Sequence, residues 1–290
     1  MHTSCFLLFH SQLSKNFNID EVDIDMILNK LKENDRVYLN HNDLFIKVCI
    51  PSNLEYYHSL QNEIKIYENY KHFPFNIPEL KYSYFDQICI IATQRVEGKA
   101  LGAKRDDFAI SKPVQTDYII DNIFKISQMY IIDNWNHKFN RHKKIKGYLE
   151  KCKLYIDNNL IEKIHEINNS KKNNPKVSFS HGDLLPSNIL VDKNNKYWFT
   201  DWEWASNRTE YYDLVLFFLF SNIPIMGLKK CVSYAKNDSM LREIYYDSIL
   251  ISLRELNNWS KVNEHIKKSI CIEYWRAVIK ESVLCLESRL

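Results

Sequence analysis

The chain has 290 residues, 45% of them hydrophobic and 26% charged, with 39 Lys and Arg against 36 Asp and Glu for a net charge of +3. That is the composition of an ordinary globular protein, with room for one two-lobed domain or two modest ones. The charge is too small to make nucleic acid its main partner.

Seven cysteines (Cys5, Cys49, Cys89, Cys152, Cys231, Cys271 and Cys285) are scattered, odd in number and without a C-x-x-C pair. They point to free, mostly buried thiols in a reducing cytoplasm, not to a disulfide framework or a zinc site. Membrane insertion is not expected. The run from Cys5 to Phe9 is short and lacks a basic lead, unlike a signal peptide. The apolar stretch Leu214 to Phe220 is interrupted by Ser221, Asn222 and Pro224 well short of a span.

Residues 20–26 alternate acidic and apolar side chains and leave helix and strand both open. Two strands are predicted at Arg36–Leu39 and Leu44–Ile50, around the turn-forming quartet Asn40, His41, Asn42 and Asp43. Lys47 lies inside the second, within the run FIKVCI; a lysine there is either an edge residue or a functional one. Leu60, Ile64 and Tyr67 then recur at helical spacing within residues 56–70. That helix also carries Glu63 and Glu68. A further strand pair is predicted at Leu80–Phe85 and Ile88–Thr93, leading into Gln94, Arg95, Val96, Glu97 and Gly98. From residue 104 onward the chain reads as mostly helical. Ile119, Ile123, Ile126 and Tyr130 share one face of a helix after Thr116. The basic run from Lys138 to Lys153 reads as a solvated helix face and loop or, functionally, as a surface attracting an anionic substrate, and Leu149 to Ile167 as one apolar-periodic helix. Met240–Trp259 and Asn263–Leu290 read as further amphipathic helices.

The stretch from Val177 to Ala205, VSFSHGDLLPSNILVDKNNKYWFTDWEWA, carries the chemistry. Two apolar runs, Ile189–Val191 and Tyr197–Phe199, flank the Asp/Asn-rich turn 192–195, the signature of a β-hairpin. The hairpin is expected to bring Asp183, Asn188 and Asp201 toward one mouth. Two carboxylates and a carboxamide are hard oxygen ligands that suit magnesium beside phosphates. Asp183, four residues and then Asn188 is also the catalytic-loop spacing of phosphoryl-transfer enzymes, with Asp201 as the later metal aspartate.

HGDLLPSNIL followed by DWEWA resembles the active-site motif of the aminoglycoside phosphotransferase and choline kinase superfamily. The resemblance implies an α+β, two-lobed protein-kinase-like fold, with a small antiparallel-sheet N-terminal lobe (residues 1–95, nucleotide-binding) and a larger, mainly helical C-terminal lobe (residues 96–290, catalytic and substrate-binding). It implies that Lys47 grips the α- and β-phosphates of ATP and that Glu63, or its rival Glu68, holds that lysine. Gln94 and Val96 would offer backbone groups to the adenine. Asn188 and Asp201 would hold Mg2+, and Asp183 would orient the acceptor hydroxyl and take its proton. His181 would brace the loop, and Asp213 would support it from the start of a buried helix.

One feature departs from that pattern: of five glycines none precedes Gly98, so no glycine-rich loop covers the phosphates and residues 32–36 would have to serve. Nothing between Asp201 and Asp213 is long enough for the activation loop of a protein kinase. The expected partner is therefore a small hydroxyl-bearing molecule. Choline or ethanolamine would want an aromatic cage, for which Trp202, Trp204, Tyr211 and Tyr212 are candidates unless they pack in the core. An aminoglycoside would want an acidic groove, yet basic residues slightly outnumber acidic ones from Asp213 onward. A sugar is the third candidate. A catalytically silent kinase-like binding module is the alternative from another class.

Overall fold

The structure, a computed structural model, describes residues 11–34, 36–50, 54–69, 73–86, 88–102, 108, 116–129, 139–170 and 175–289. By its contacts the chain forms two units: Met1–Lys99 with Leu190–Ala205, and Ala100–Ile189 with Ser206–Leu290. The hairpin after the catalytic-loop motif therefore belongs with the first unit. Phe199 and Trp202 supply the reason, since their rings pack on Phe75 at 5.1 and 5.8 Å between centroids.

In the first unit, helix α1 (Glu21–Asn34) precedes strands β1 (Arg36–His41) and β2 (Leu44–Cys49), helix α2 (Leu54–Asn69), and strands β3 (Leu80–Phe85), β4 (Cys89–Gln94) and β5 (Gly98–Ala100). Ile24, Ile27, Leu28 and Leu31 are buried at helical spacing, which resolves the ambiguity of residues 20–26. Residues 32–34 close this helix and Arg36 opens β1, so that segment is not a loop; Asp35 lies outside the described residues. The four-stranded antiparallel sheet has the order β1-β2-β4-β3. Val37, Ile46, Val48, Ile90 and Ala92 line the face that joins the α1 core. Because strand side chains alternate, Lys47 is turned to the other face.

The hairpin of β7 (Ile189–Asp192) and β8 (Tyr197–Phe199) forms as its sequence predicts. Asp192 ties the turn by accepting from the Asn194 and Lys196 amides at 2.8 and 3.0 Å and from the Trp198 indole at 3.0 Å. Gly98 is required by close approach: a Cβ there would sit 2.8 Å from the Val191 carbonyl oxygen.

The second unit holds α3 (Thr116–Ser127), α4 (Arg141–Cys152), α5 (Asn158–Asn169), β6 (Val177–Ser180), β9 (Ser206–Thr209), α6 (Tyr212–Phe220), α7 (Pro224–Val232), α8 (Asp238–Ser260) and α9 (His265–Glu287). Ile119, Ile123 and Ile126 are buried as their spacing requires; Tyr130 lies outside the described residues. The single helix expected over Leu149–Ile167 is two. A 3-10 turn at Lys153–Tyr155 separates them, and Asp157 caps α5 by accepting from the Leu160 amide at 3.0 Å. Strands β6 and β9 pair antiparallel, Val177 with Thr209 and Ser180 with Ser206, so the motif stretch is tied at both ends. Every residue of α6 is buried. Among the described residues the cysteines are free, and no helix is long and apolar enough to cross a membrane.

Arg141 corrects the reading of its basic run as solvated. Its side chain is fully buried, with Nη1 2.6 Å from Glu243 and 3.3 Å from Asp247 and the guanidinium over the Tyr246 ring at 4.5 Å. Asp247 also accepts from the Thr209 hydroxyl at 2.6 Å, which links α4 and α8 to β9. Removing one partner of a buried pair leaves the other charge uncompensated. Arg141→Met is therefore expected to cost about 3–5 kcal/mol in urea denaturation; a loss below about 1 kcal/mol, the range of surface pairs, would contradict that role.

Candidate active site

Each unit contributes one polar cluster. In the first, β2 presents Lys47 opposite Tyr38 on β1 and Ile91 on β4, in the interior of the sheet. Its ammonium lies 2.7 Å from Glu63 on α2 and 2.6 Å from Asp201 just after β8. Lys47 is 5% exposed and Glu63 1%. Burial by itself would lower the lysine's pKa, but the charges of Asp201 and Glu63 hold it well above its ordinary value. Glu68 lies on the solvent face of α2, so Glu63 alone of the two meets the lysine.

Asp201 adopts a left-handed backbone, φ 68° and ψ 58°, unusual for a residue with a side chain. The 3-10 turn Trp202–Trp204 follows at once and directs Glu203 inward. Glu203 accepts from the Ser59 hydroxyl at 3.2 Å and meets Arg36 at 3.3 Å. Asn62 donates to the carbonyls of Glu203 and Ala205 at 3.1 and 2.8 Å, and the Trp202 amide donates to Glu63 at 3.3 Å. Helix α2 thus fixes both the lysine and the exit of the hairpin.

Sequence reasoning did not find Arg36, whose guanidinium also covers the Tyr56 ring at 3.8 Å, or the inward turn of Glu203. No local pattern announces either, because each partner comes from a distant segment.

Glu63, Asp201 and Glu203 bring ligand atoms within 4.8 Å of one another, as a metal cage would. Lys47 already bridges two of them, and Glu63 and Glu203 are almost completely buried. Asp201, with 30% of its side chain exposed, is the carboxylate of the three placed to meet a metal ion. As a hard oxygen donor it fits magnesium.

In the second unit the loop after β6 is organised by Asp213 in the first turn of α6. Its carboxylate accepts from the Ser180 hydroxyl at 2.9 Å and from the His181 and Gly182 amides at 2.7 and 3.0 Å. Gly182 has φ 81°, a conformation glycine reaches without strain. His181 is fully buried. The Asn188 side chain donates to the Asp183 carbonyl at 2.8 Å, and the Leu185 amide donates to it at 2.8 Å. Asp183 is thereby fixed by its own backbone. Its carboxylate lies 3.8 Å from the guanidinium of Arg254 on α8, a neighbour that the motif does not reveal.

At the end of β4, the Gln94 amide donates to the Glu79 carbonyl at 2.8 Å and the Val96 carbonyl accepts from Gly98 at 3.0 Å. Of the four aromatic candidates two are core, whereas Trp204 and Tyr211 are half-buried. Trp202 is fully buried, its indole donating to the Phe199 carbonyl at 3.1 Å, and Tyr212 is 1% exposed.

The family model of choline/ethanolamine kinases matches residues 99–237, just under half of the chain. Of the solved structures it resembles, the choline kinase LicA from Streptococcus pneumoniae aligns at TM-score 0.54 and 14% identity, over 89% of this chain and 100% of that one. A likeness at this identity shows a shared fold. The aminoglycoside phosphotransferase APH(2'')-Ib, an ADP-bound structure, aligns at TM-score 0.53 and 14% identity over 90% and 99% of the two chains. APH(4)-Ia aligns at 0.59 and 11% over 88% and 98%. No curated protein matches significantly by sequence. The kinase-like α+β fold of these structures accounts for the antiparallel sheet of the first unit and the helices of the second.

The Lys47–Glu63 pair is a buried ion pair, and its partners should be energetically coupled. Lys47→Met and Glu63→Gln are each expected to destabilise by about 3–5 kcal/mol, with the double variant losing clearly less than their sum. A double-mutant cycle in chemical denaturation checks this; additive losses would mean that the two residues act independently.

Proposed function

We propose that the protein is an ATP-dependent, magnesium-requiring kinase that transfers the γ-phosphoryl group to a hydroxyl of a small acceptor. The observation that carries this reading is the buried Lys47 held between Glu63 and Asp201. A fixed cation beside an accessible carboxylate is what positioning of a magnesium nucleotide demands. The LicA complex with AMP and the ADP-bound phosphotransferase support an adenine nucleotide. The free thiols fit a reducing compartment, the cytoplasm.

In this reading Lys47 grips the α- and β-phosphates and Glu63 keeps it in place. Gln94 and Val96 serve the adenine through backbone groups. Asp201 and Asn188 hold Mg2+, which neutralises charge on the phosphate oxygens. Asp183 orients the acceptor hydroxyl and takes its proton. The acceptor oxygen bonds to the γ-phosphorus as the bond to the β,γ-bridging oxygen breaks, and ADP leaves with that electron pair.

Two variants test the division of labour. Asp183→Ala should lower acceptor-dependent ADP release by about 10²–10⁴-fold while Mg-ATP affinity changes little. Turnover within about tenfold of wild type would remove Asp183 from the role of base. Asp201→Asn keeps the shape but loses the charge, so calorimetry should show Mg-ATP binding strongly weakened. An unchanged affinity would move the metal site elsewhere.

A further inference from the structure

The first unit holds a second cation beside its lysine. Arg36 opens β1, and Val37 and Leu39 turn into the α1 core, so alternation sends Arg36 and Tyr38 to the other face. Tyr38 is the cross-strand partner of Lys47. Arg36 therefore shares the lysine's face of the sheet, two residues along the neighbouring strand. Three groups fix its guanidinium. It covers the Tyr56 ring at 3.8 Å and the Tyr38 ring at 5.1 Å, and Nη1 meets Glu203 at 3.3 Å. Burial alone would lower its pKa; Tyr38, Glu203, Tyr56 and Asp201 raise it instead. Arg36 and Lys47 thus serve one carboxylate cluster, and Asp201 acts on both.

The two cations differ in what they show to solvent. The Arg36 side chain is 26% exposed, against 7% for Lys47 and 4% for Glu203. A guanidinium that only neutralised Glu203 would be expected to close over, as fully buried Arg141 does on Asp247. Its rigid fork carries several N–H donors, so a contact through Nη1 does not exhaust it. The phosphates of a nucleotide call for such a group. They are commonly covered by the backbone amides of a glycine-rich loop. Here no glycine precedes Gly98, and residues 32–34 form the last turn of α1, where helix bonds take their amides. A side chain has to supply what that backbone cannot.

We infer that Arg36 holds the β- and γ-phosphates of the nucleotide, in place of a glycine-rich loop. This rests on the kinase reading above and adds a residue to it. Lys47 grips the α- and β-phosphates there, and Arg36 meets the terminal end, beside the carboxylate that takes the metal. Glu203 and Tyr56 keep the guanidinium aimed. Its fork then stabilises charge on the terminal oxygens while the γ-phosphoryl group moves.

The test uses the full chain with magnesium and calorimetry of ATP, tripolyphosphate and AMP. AMP carries only the phosphate assigned to Lys47. Arg36→Gln should weaken ATP and tripolyphosphate about 10- to 100-fold, the range of a charge-assisted hydrogen bond, and leave AMP within about twofold. Arg36→Lys keeps the charge without the fork and should recover part of the loss. Should Arg36→Gln not fold, Arg36→Lys carries the comparison alone: a lowered ratio of ATP to AMP affinity supports the inference and an unchanged ratio overturns it. Equal weakening of ATP and AMP would make Arg36 a support for Lys47 and Asp201 and overturns the inference, as do unchanged affinities. Wild-type protein that holds tripolyphosphate through Arg36 but binds ATP no more tightly would sink the kinase reading alone. Binding of neither by wild-type protein overturns both.

Discussion

A protonated lysine in the interior of a sheet is the constraint on which the first unit depends. Without partners, burial would strip Lys47 of its charge. The chain answers with Glu63 from α2 and Asp201 from the end of the hairpin. Those carboxylates then need their own counterparts, and Glu203 draws Arg36 and Ser59 into the same cluster. Two cations, Lys47 and Arg36, meet three carboxylates, and burial pushes Glu63 up to about 7. Asp201 is the member that meets solvent, and its left-handed backbone shows how tightly the surrounding structure holds it there.

The second unit solves a different problem, that of holding a short loop still. Asp213 takes up two backbone amides and a hydroxyl of the segment Ser180–Gly182, and Asn188 locks the Asp183 carbonyl. The Asp183 carboxylate is left to face Arg254. A carboxylate placed this way keeps its geometry through backbone bonds that substitution of its own side chain would not remove. Loop and lysine cluster therefore have separate supports: Asp213 on α6 for one, α2 for the other.

Relatives at 11–14% identity share the fold, and fold likeness at that level does not choose the acceptor. Arg254 on α8, beside the Asp183 carboxylate, lies outside the motif.

The amino-acid order by itself determined much of the local structure and singled out the candidate site residues. Alternation placed Lys47 on a strand, Asp/Asn chemistry set the turn at 192–195, and the run from His181 to Asp201 named Asp183, Asn188 and Asp201. It also favoured Glu63 over Glu68, by likeness of the surrounding helix. Only the tertiary structure decided what surrounds them. Arg141 reads as one more basic residue in a solvated run until Glu243 and Asp247, a hundred residues on, bury it. Trp202 and Tyr212 read equally as cage or core until packing closes over them. Arg254 carries no motif at all; α8 brings it to Asp183. The physical reason is common to all three. A strand, turn or catalytic loop is specified by neighbours within a few residues, whereas burial and charge pairing depend on side chains that meet only when distant segments fold together.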